Sequence, residues 1–477
     1  MRHRARHAAG PFDRATLSHI EQTLAPALPS DLLTRPASGQ HSRRRIFCLS
    51  RTFWCWIWQI FQSNTSCREV VRQLQAVLSL LEQPSVDPDG SAYCQARAKL
   101  SLGLLERALS ASFSSAEKRV PACKLLQRRP VKVVDASSVR LEDTPVNRAV
   151  FPASKNQFSK PSFPILKLLA MFSLASGSLI ARATGTIETA ETRLLMSLRK
   201  HVQPGDILLG DRAYGLFIVL HWVSSLGADL VARLNTRSRR VDFRTATKRF
   251  GPRDGLFRWH KPLVASKLLS AQEWKQVPET IVVRIIHVRV ERPGFRTREL
   301  TIVTTLLDAK LYPAAEIMEV HFKRWRLEMC LDDLKTTLGM EKLRCRTPAL
   351  VQKELLVYLI AHNFVRWIMG QAAGQQSANL ERLSFTGTLD AFRQWSIALV
   401  QVRGPGKLTK QRRMWRELLD IIAADLVPER PGRKEPRAVK KRSKYPPLSK
   451  PRHSYVDRWS RNKKRRVQRA KKHAPLN

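Results

Sequence analysis

Acid is what this 477-residue sequence is shortest of: 39 Asp and Glu stand against 84 Lys and Arg, a formal net charge of +45. A chain so unbalanced repels itself unless a polyanion neutralises it, and nucleic acid is the polyanion that Lys and Arg bind without regard to sequence. Cysteine is scarce and unordered. Cys48, Cys55, Cys67, Cys94, Cys123, Cys330 and Cys345 form no C-x-x-C pair, which argues against a disulfide framework or a zinc site and for thiols in a reducing compartment. Long apolar runs are missing too. Residues 52–61 are too few to span a bilayer, and 163–181 are interrupted by Lys167 and a Gly-Ser turn, so both read as core and no membrane partner is expected. The basic start MRHRARHAAG runs into polar sequence without an apolar stretch, so no signal peptide is expected.

What is present is a globular composition, with 43% hydrophobic residues and 11 Trp in a chain long enough for two or more domains. Residues 429–477 carry 19 Lys and Arg and 3 acids. The rest remains strongly basic, so the charge belongs to the folded part as well as to a tail.

Residues 1–120 read as a helical N-terminal DNA-binding region: Val70, Val71, Leu74, Val77, Leu78 and Leu81 recur at helical spacing, as do Leu100, Leu104, Leu105 and Ala108. The period then changes. A β-branched run at 131–134 stops at Asp135. A hairpin follows over 164–174 and 179–186, then a helix over about 189–201. A strand at 207–209 ends at Gly210-Asp211, a helix covers about 216–226, and a strand covers 229–234. This β-β-β-α-β-α-β order is that of a ribonuclease-H-like α/β core whose first and fourth strands lie side by side under helices. Its first part is placed at 128–235, a β-rich insertion at 236–307, and its second part at 308–370, helical over 313–335 and 350–370. A helical C-terminal region at 371–427 and a basic tail at 428–477 complete the division.

Asp135 and Asp211 both fall where a strand gives way to a loop, the place where functional groups gather in open α/β sheets. Glu328 lies in the segment His321-Phe-Lys-Arg324-Trp-Arg-Leu-Glu328-Met-Cys-Leu-Asp-Asp-Leu-Lys335. With Glu328 at zero and about 100° per residue, His321 falls near +20°, Arg324 near −40° and Lys335 near −20°. One carboxylate, two cations and an imidazole therefore share a stripe, about 21 Å long at about 1.5 Å per residue. Cleaving and rejoining phosphodiesters takes two hard cations about 4 Å apart, each needing only one or two carboxylates. Asp135, Asp211 and Glu328 would suffice. The same residue types also make solvated helix faces and turn caps. Rival carboxylates are Asp206, read as turn chemistry, Glu142, Asp143 and Asp332, the last near +40° on the Glu328 helix.

The helix segment resembles the Tyr-Arg-Glu-Lys signature (Y-x2-R-x3-E-x6-K) of the insertion-sequence-four family of transposases. Asp211-Arg-Ala-Tyr-Gly resembles that family's second-aspartate motif and Val-Val-Asp135-Ala-Ser its first. Thr301-Ile-Val-Thr-Thr-Leu-Leu-Asp308 and Ala92-Tyr-Cys-Gln-Ala-Arg97-Ala-Lys-Leu are similar to segments of these enzymes, and the likeness covers roughly residues 50–445. The resemblance implies a three-carboxylate enzyme of DNA transposition. Asp135, Asp211 and Glu328 would be catalytic and hold two Mg²⁺ (or Mn²⁺) ions, with Arg324 and Lys335 on DNA phosphates. The partners would be double-stranded DNA (terminal inverted repeats and target) and a second copy of the chain, in a bacterial cytoplasm at the nucleoid. The signature Tyr is His321 here, a ring still able to hydrogen-bond a phosphate. The family can hold a flipped base on an aromatic residue of its insertion; Trp259 and Trp274 lie there, and no motif selects either. A nuclease of the same fold without strand transfer, and a decayed DNA-binding derivative, remain the alternatives.

Overall fold

The computed structural model describes residues 18–428, apart from 44, 63–64, 81, 122–123, 154–162, 237–240, 291–298 and 403–406. The basic tail expected from 428 onward lies, from 429, outside the described residues. Five helices lead: α1 (Ser18–Leu24), α2 (Leu49–Phe61), α3 (Cys67–Leu80), α4 (Ser91–Lys99) and α5 (Leu102–Glu117). The central part is β1 (Val131–Arg140), α6 (Pro145–Val150), β2 (Ile165–Ser173), β3 (Leu179–Thr186), α7 (Glu191–Ser197), β4 (Ile207–Gly210), α8 (Phe217–Ser225) and β5 (Asp229–Arg233). There follow β6 (Lys248–Gly251), β7 (Asp254–His260), α9 (Ala271–Gln276), β8 (Thr280–Arg289) and β9 (Glu299–Thr304). The chain closes with α10 (Ala314–Lys323), α11 (Trp325–Asp332), a π-helical turn (Asp333–Thr337), α12 (Pro348–Gln376), α13 (Phe385–Gln401) and α14 (Leu408–Ala424).

All nine strands join one mixed sheet in the order β3-β2-β1-β4-β5-β9-β8-β7-β6. β1 runs parallel to β4, the neighbour expected of a first and fourth strand. The β-rich stretch that follows β5 is built onto the same sheet, because β9 returns antiparallel to β5 and β8 to β9. Arg284 of β8 is buried there, and its guanidinium is met by both oxygens of Asp254 at 2.8 and 2.6 Å and by the Tyr312 carbonyl at 2.7 Å.

Alternation along the strands divides the core in two. Val131, Val133, Leu168, Leu209 and Val231 face a cluster shared with α11 and α12. Val134, Leu169, Leu208, Leu230 and Ala232 face α7 and α8. With apolar residues on both faces, these strands read as nearly continuous hydrophobic runs, as covered strands do. The long helix α12 starts where the Thr347 hydroxyl accepts the Leu350 N–H and Pro348 occupies the first turn. Most of its side chains are buried, against α5, α14 and α2. Each large apolar side chain so buried contributes roughly 1.5–3 kcal/mol.

Two readings from the sequence need correction. β1 does not stop at Asp135: β2 pairs with it antiparallel as far as Arg140↔Ile165, so the strand is held on one side after β4 has ended on the other. The segment expected as one helix over 313–335 is α10, α11 and a π turn, with Arg324 between the first two. A π turn holds more residues than an α turn, so the angular position computed for Lys335 on a regular wheel does not apply.

Candidate active site

β1 and β4 place the two aspartates. Their parallel register ends at Val133↔Leu209; Asp135 and Asp211 each lie two residues further on. Asp135 shares the strand face of Val133, the face towards α11. Its Oδ1 accepts the Ala136 N–H at 2.8 Å. Asp211 begins the turn after β4 and accepts the Ala213 N–H at 2.7 Å. The glycines around it are required by packing. A Cβ on Gly210 would lie 2.7 Å from the Tyr214 ring, and one on Gly215 would lie 2.8 Å from the Arg233 carbonyl. This explains physically why Asp211 is flanked by glycine at 210 and 215.

Glu328 arrives from α11, whose Cys330 and Leu331 are buried in the core cluster under β1. Arg324 joins the two elements: its guanidinium lies 3.0 Å from Glu328 Oε1 and 3.7 Å from Asp135 Oδ2. His321, one turn earlier, is buried, and its Nδ1 has no hydrogen-bond partner among the described residues. Burial, then the charges of Arg324 and Arg233, push its pKa down to about 3, so the ring is neutral. Lys335, in the π turn, is half-buried.

The rival carboxylates are engaged elsewhere. Asp206 is buried and takes the Lys132 ammonium at 2.5 Å. Glu142 pairs with Lys342 at 2.8 Å and Asp143 with Arg148. Asp332 is exposed and accepts the Thr336 hydroxyl at 2.7 Å. Trp259 is buried, on the wall of a cavity of about 460 Å³ that Asp211, Phe217 and Asn235 also line. Trp274 is in α9 with the Lys261 ammonium 5.1 Å above its ring.

Sequence reasoning missed three residues here. Glu191, the first residue of α7, is close enough to raise the pKa of Asp135. Arg233, at the end of β5, faces Arg212, Arg324 and Asp211. The Tyr214 hydroxyl is buried without a partner among the described residues, near Glu191, Asp135 and Asp211. The signal for Glu191 was an acid at a helix start, which is ordinary capping chemistry; only the tertiary fold brings it here.

The electrostatics are those of an anion cluster short of cation. Burial pushes the Asp135 carboxyl up to about 6; the Ala136 amide and Arg324 oppose this, while Asp211 and Glu191 add to it. Glu191 is likewise raised, by burial and then by Asp211, against Lys167. Hard carboxylate oxygens under mutual repulsion suit a divalent cation. Among the described residues no three acidic, His or Cys side chains form a ready-made ligand set, since Glu328 reaches Asp135 through the guanidinium between them.

The family model of the transposase DDE domain matches residues 126–364. That is half of the chain, from just before β1 into α12, and it takes in Asp135, Asp211 and Glu328. The chain belongs to the DDE transposase family. It is an enzyme of DNA transposition, which cleaves and joins DNA strands, and divalent metal ions are the general cofactor of such domains. The transposase is 25% identical over 444 residues to transposase InsG for insertion sequence element IS4 of Escherichia coli (strain K12), across 92% of its own chain and 95% of that relative. It also resembles a cryo-EM structure of the piggyBac transposase synaptic complex with hairpin DNA, at 10% identity over 86% of this chain and 83% of that one. The TM-score of that likeness is 0.39. Among the described residues no helix is long and apolar enough to cross a membrane.

Proposed function

We propose that Asp135, Asp211 and Glu328 are the catalytic carboxylates and together hold two Mg²⁺ (or Mn²⁺) ions. The observation that carries this reading is Arg324, whose one guanidinium reaches carboxylates of β1 and α11 that are 193 residues apart in sequence. The ions would activate the attacking oxygen and stabilise the leaving one. The chain's own part is to present the oxygens. β1 and β4 fix Asp135 and Asp211 as a pair; α11 sets Glu328 against them. Arg324, Lys335 and His321 contact the DNA, the first two by charge and His321 as a neutral hydrogen-bonding ring. Glu191 adds negative potential.

The sheet with its flanking helices is read as a ribonuclease-H-like core, of 128–235 and 308–370. The strands of 236–307 form the β-rich insertion, 1–120 a helical DNA-binding region, 371–427 a helical C-terminal region and 428–477 the basic tail. The substrate is double-stranded DNA at the terminal inverted repeats of the insertion sequence that encodes the chain, joined to target DNA by two copies of the protein at the bacterial nucleoid.

The test is cleavage and joining of a duplex carrying those ends, with Mg²⁺, by the purified full chain. Nicked and joined products, both lost in Asp135→Asn, Asp211→Asn and Glu328→Gln, support the assignment. Cleavage without joining would mark a nuclease. Full activity in any one of the three variants removes that residue from the set.

A further inference from the structure

Away from the carboxylates, two sulfur atoms meet one buried guanidinium. Arg97 of α4 donates through Nη1 to Cys67 Sγ at 3.0 Å and through Nη2 to Cys345 Sγ at 3.4 Å. Its guanidinium carbon lies 4.0 Å over the Trp56 ring. Gln59 Nε2 also donates to Cys67 Sγ, at 3.7 Å. Cys67 is the first residue of α3, after Ser66, whose hydroxyl accepts the Glu69 N–H at 3.1 Å. Its sulfur therefore sits at the positive end of a 14-residue helix as well as against a fixed cation, the two surroundings that turn thiols into thiolates. Cys94, exposed on α4, lies one helical step from both Gly90, which abuts the start of α3, and Arg97, which bonds Cys67, and its thiol interacts electrostatically with the same sulfur. Gly90, which caps the start of α4, lies on the α3 backbone: a Cβ there would stand 3.4 Å from the Arg68 nitrogen, in ordinary contact.

The titration agrees with the geometry. The neighbouring Cys94 thiol, with Arg97 and Gln59, brings Cys67 down to about 5 against the opposing effect of burial, while Cys67 in turn holds Cys94 up as the protonated partner. One sulfur is nucleophilic and its neighbour carries a proton. Cys55, Cys330 and Cys345 are buried, and burial raises each of them.

We propose that Cys67 and Cys94 are a peroxide-reactive dithiol, in which Cys67 is oxidised first and Cys94 resolves it into a disulfide that ties α3 to α4. The Cys67 thiolate attacks one oxygen of a hydroperoxide. The O–O bond breaks, hydroxide leaves, and Cys67 becomes a sulfenic acid. The Cys94 sulfur then attacks Cys67, the S–O bond breaks, and water leaves with the Cys94 proton. Two thiols and one hydrogen peroxide give one disulfide and two waters. The disulfide removes the anion facing Arg97. Arg97 also reaches Cys345, whose amide is held by Glu354 of α12 at 2.8 Å, so the change is delivered to the contact between the leading helices and the catalytic half.

Two measurements on the full wild-type chain test this. In the first, reduced protein is exposed to rising hydrogen peroxide, digested without reductant and read by mass spectrometry. A linked Cys67–Cys94 peptide should appear before any other cysteine is modified. In the second, alkylation of Cys67 is followed against pH. Its rate should be nearly flat from about pH 6 to 8, where an ordinary thiol climbs close to tenfold per unit. Cys94→Ser should stop at the sulfenic acid, trapped by dimedone on Cys67. A Cys67 rate climbing tenfold per unit up to pH 8, or Cys67 untouched while other cysteines oxidise, overturns the proposal.

Discussion

Asp135 on β1 and Asp211 in the turn after β4 each lie two residues beyond the last paired positions of these parallel strands, Val133 and Leu209. The pair is set by backbone register, so it forms whenever β1 and β4 associate, and the repulsion between the two carboxylates is built into the fold.

Stability should therefore depend on pH through Asp135. Burial pushes its carboxyl up to about 6 in the fold, from an ordinary 3.8. The folded state binds the proton more tightly, so ionisation weakens the fold: the penalty is absent below about pH 4 and complete above about pH 6. Asp135→Asn should raise stability at pH 7.5 by on the order of 2 kcal/mol and leave it unchanged at pH 4. It should also abolish cleavage while the variant still shifts DNA in a gel. Thermal unfolding at the two pH values, with a cleavage assay, checks both.

Arg324→Lys should lower cleavage about tenfold or more, because a point charge cannot reproduce a guanidinium shared by two groups. Lys335→Arg should be milder than Lys335→Ala. If the Arg324–Glu328 contact were only an exposed helix pair, worth under about 1 kcal/mol, all three variants would cleave at the wild-type rate. Cleavage kinetics on a terminal-repeat duplex, with melting temperatures as control, separate the cases.

Glu191→Gln removes a charge that raises Asp135. The Asp135 pKa should fall, so the stability gain of the Asp135→Asn change should shrink in the Glu191→Gln background. Mg²⁺ should be bound more weakly, seen as a smaller rise in melting temperature on adding the ion. Unchanged ion dependence would remove Glu191 from the site.

His321 works in the opposite direction to Asp135. Its pKa is pushed down to about 3 from 6.5, so the unfolded chain takes up the proton first. The stability it contributes is full above about pH 6.5 and falls as pH drops towards 3, by about 3 kcal/mol at pH 4. His321→Phe should flatten that acid limb and should lower DNA cleavage if the ring meets phosphate. Urea unfolding at pH 4.5 and 7.5 measures the first effect.

Removal of residues 429–477 should weaken DNA binding and flatten its salt dependence, since each lost phosphate contact reduces the slope. An unchanged slope of log affinity against log salt would show that the tail leaves DNA alone.

Much of the candidate site was legible. Asp135 and Asp211 could be picked out as candidates because a β-branched or aliphatic run ending in Asp is a local signal. Glu328 could be picked out as a candidate because its neighbours repeat at helical spacing. The rest depends on long-range contacts. β1 runs past Asp135 because β2, some 30 residues later, pairs with it to Arg140. Glu191 lies 20 residues before Asp211 in an ordinary capping position, and nothing local distinguishes it. Arg324 reads from its spacing as a phosphate ligand; that it spans Asp135 and Glu328 requires β1 and α11 to be packed together first.

The π turn at Asp333–Thr337 is the shape a helix takes when it carries one residue too many for its hydrogen-bonding repeat. Excising one residue would let the turn close as α-helix. The chain beyond it would then rotate by about 100° about the helix axis, carrying the 338–347 connection and α12 out of phase with Glu328. Lys335 and Glu328 therefore keep their relative placement through chain length as much as through contacts, and a library of single deletions across 333–337 should be far less tolerated than one of single substitutions.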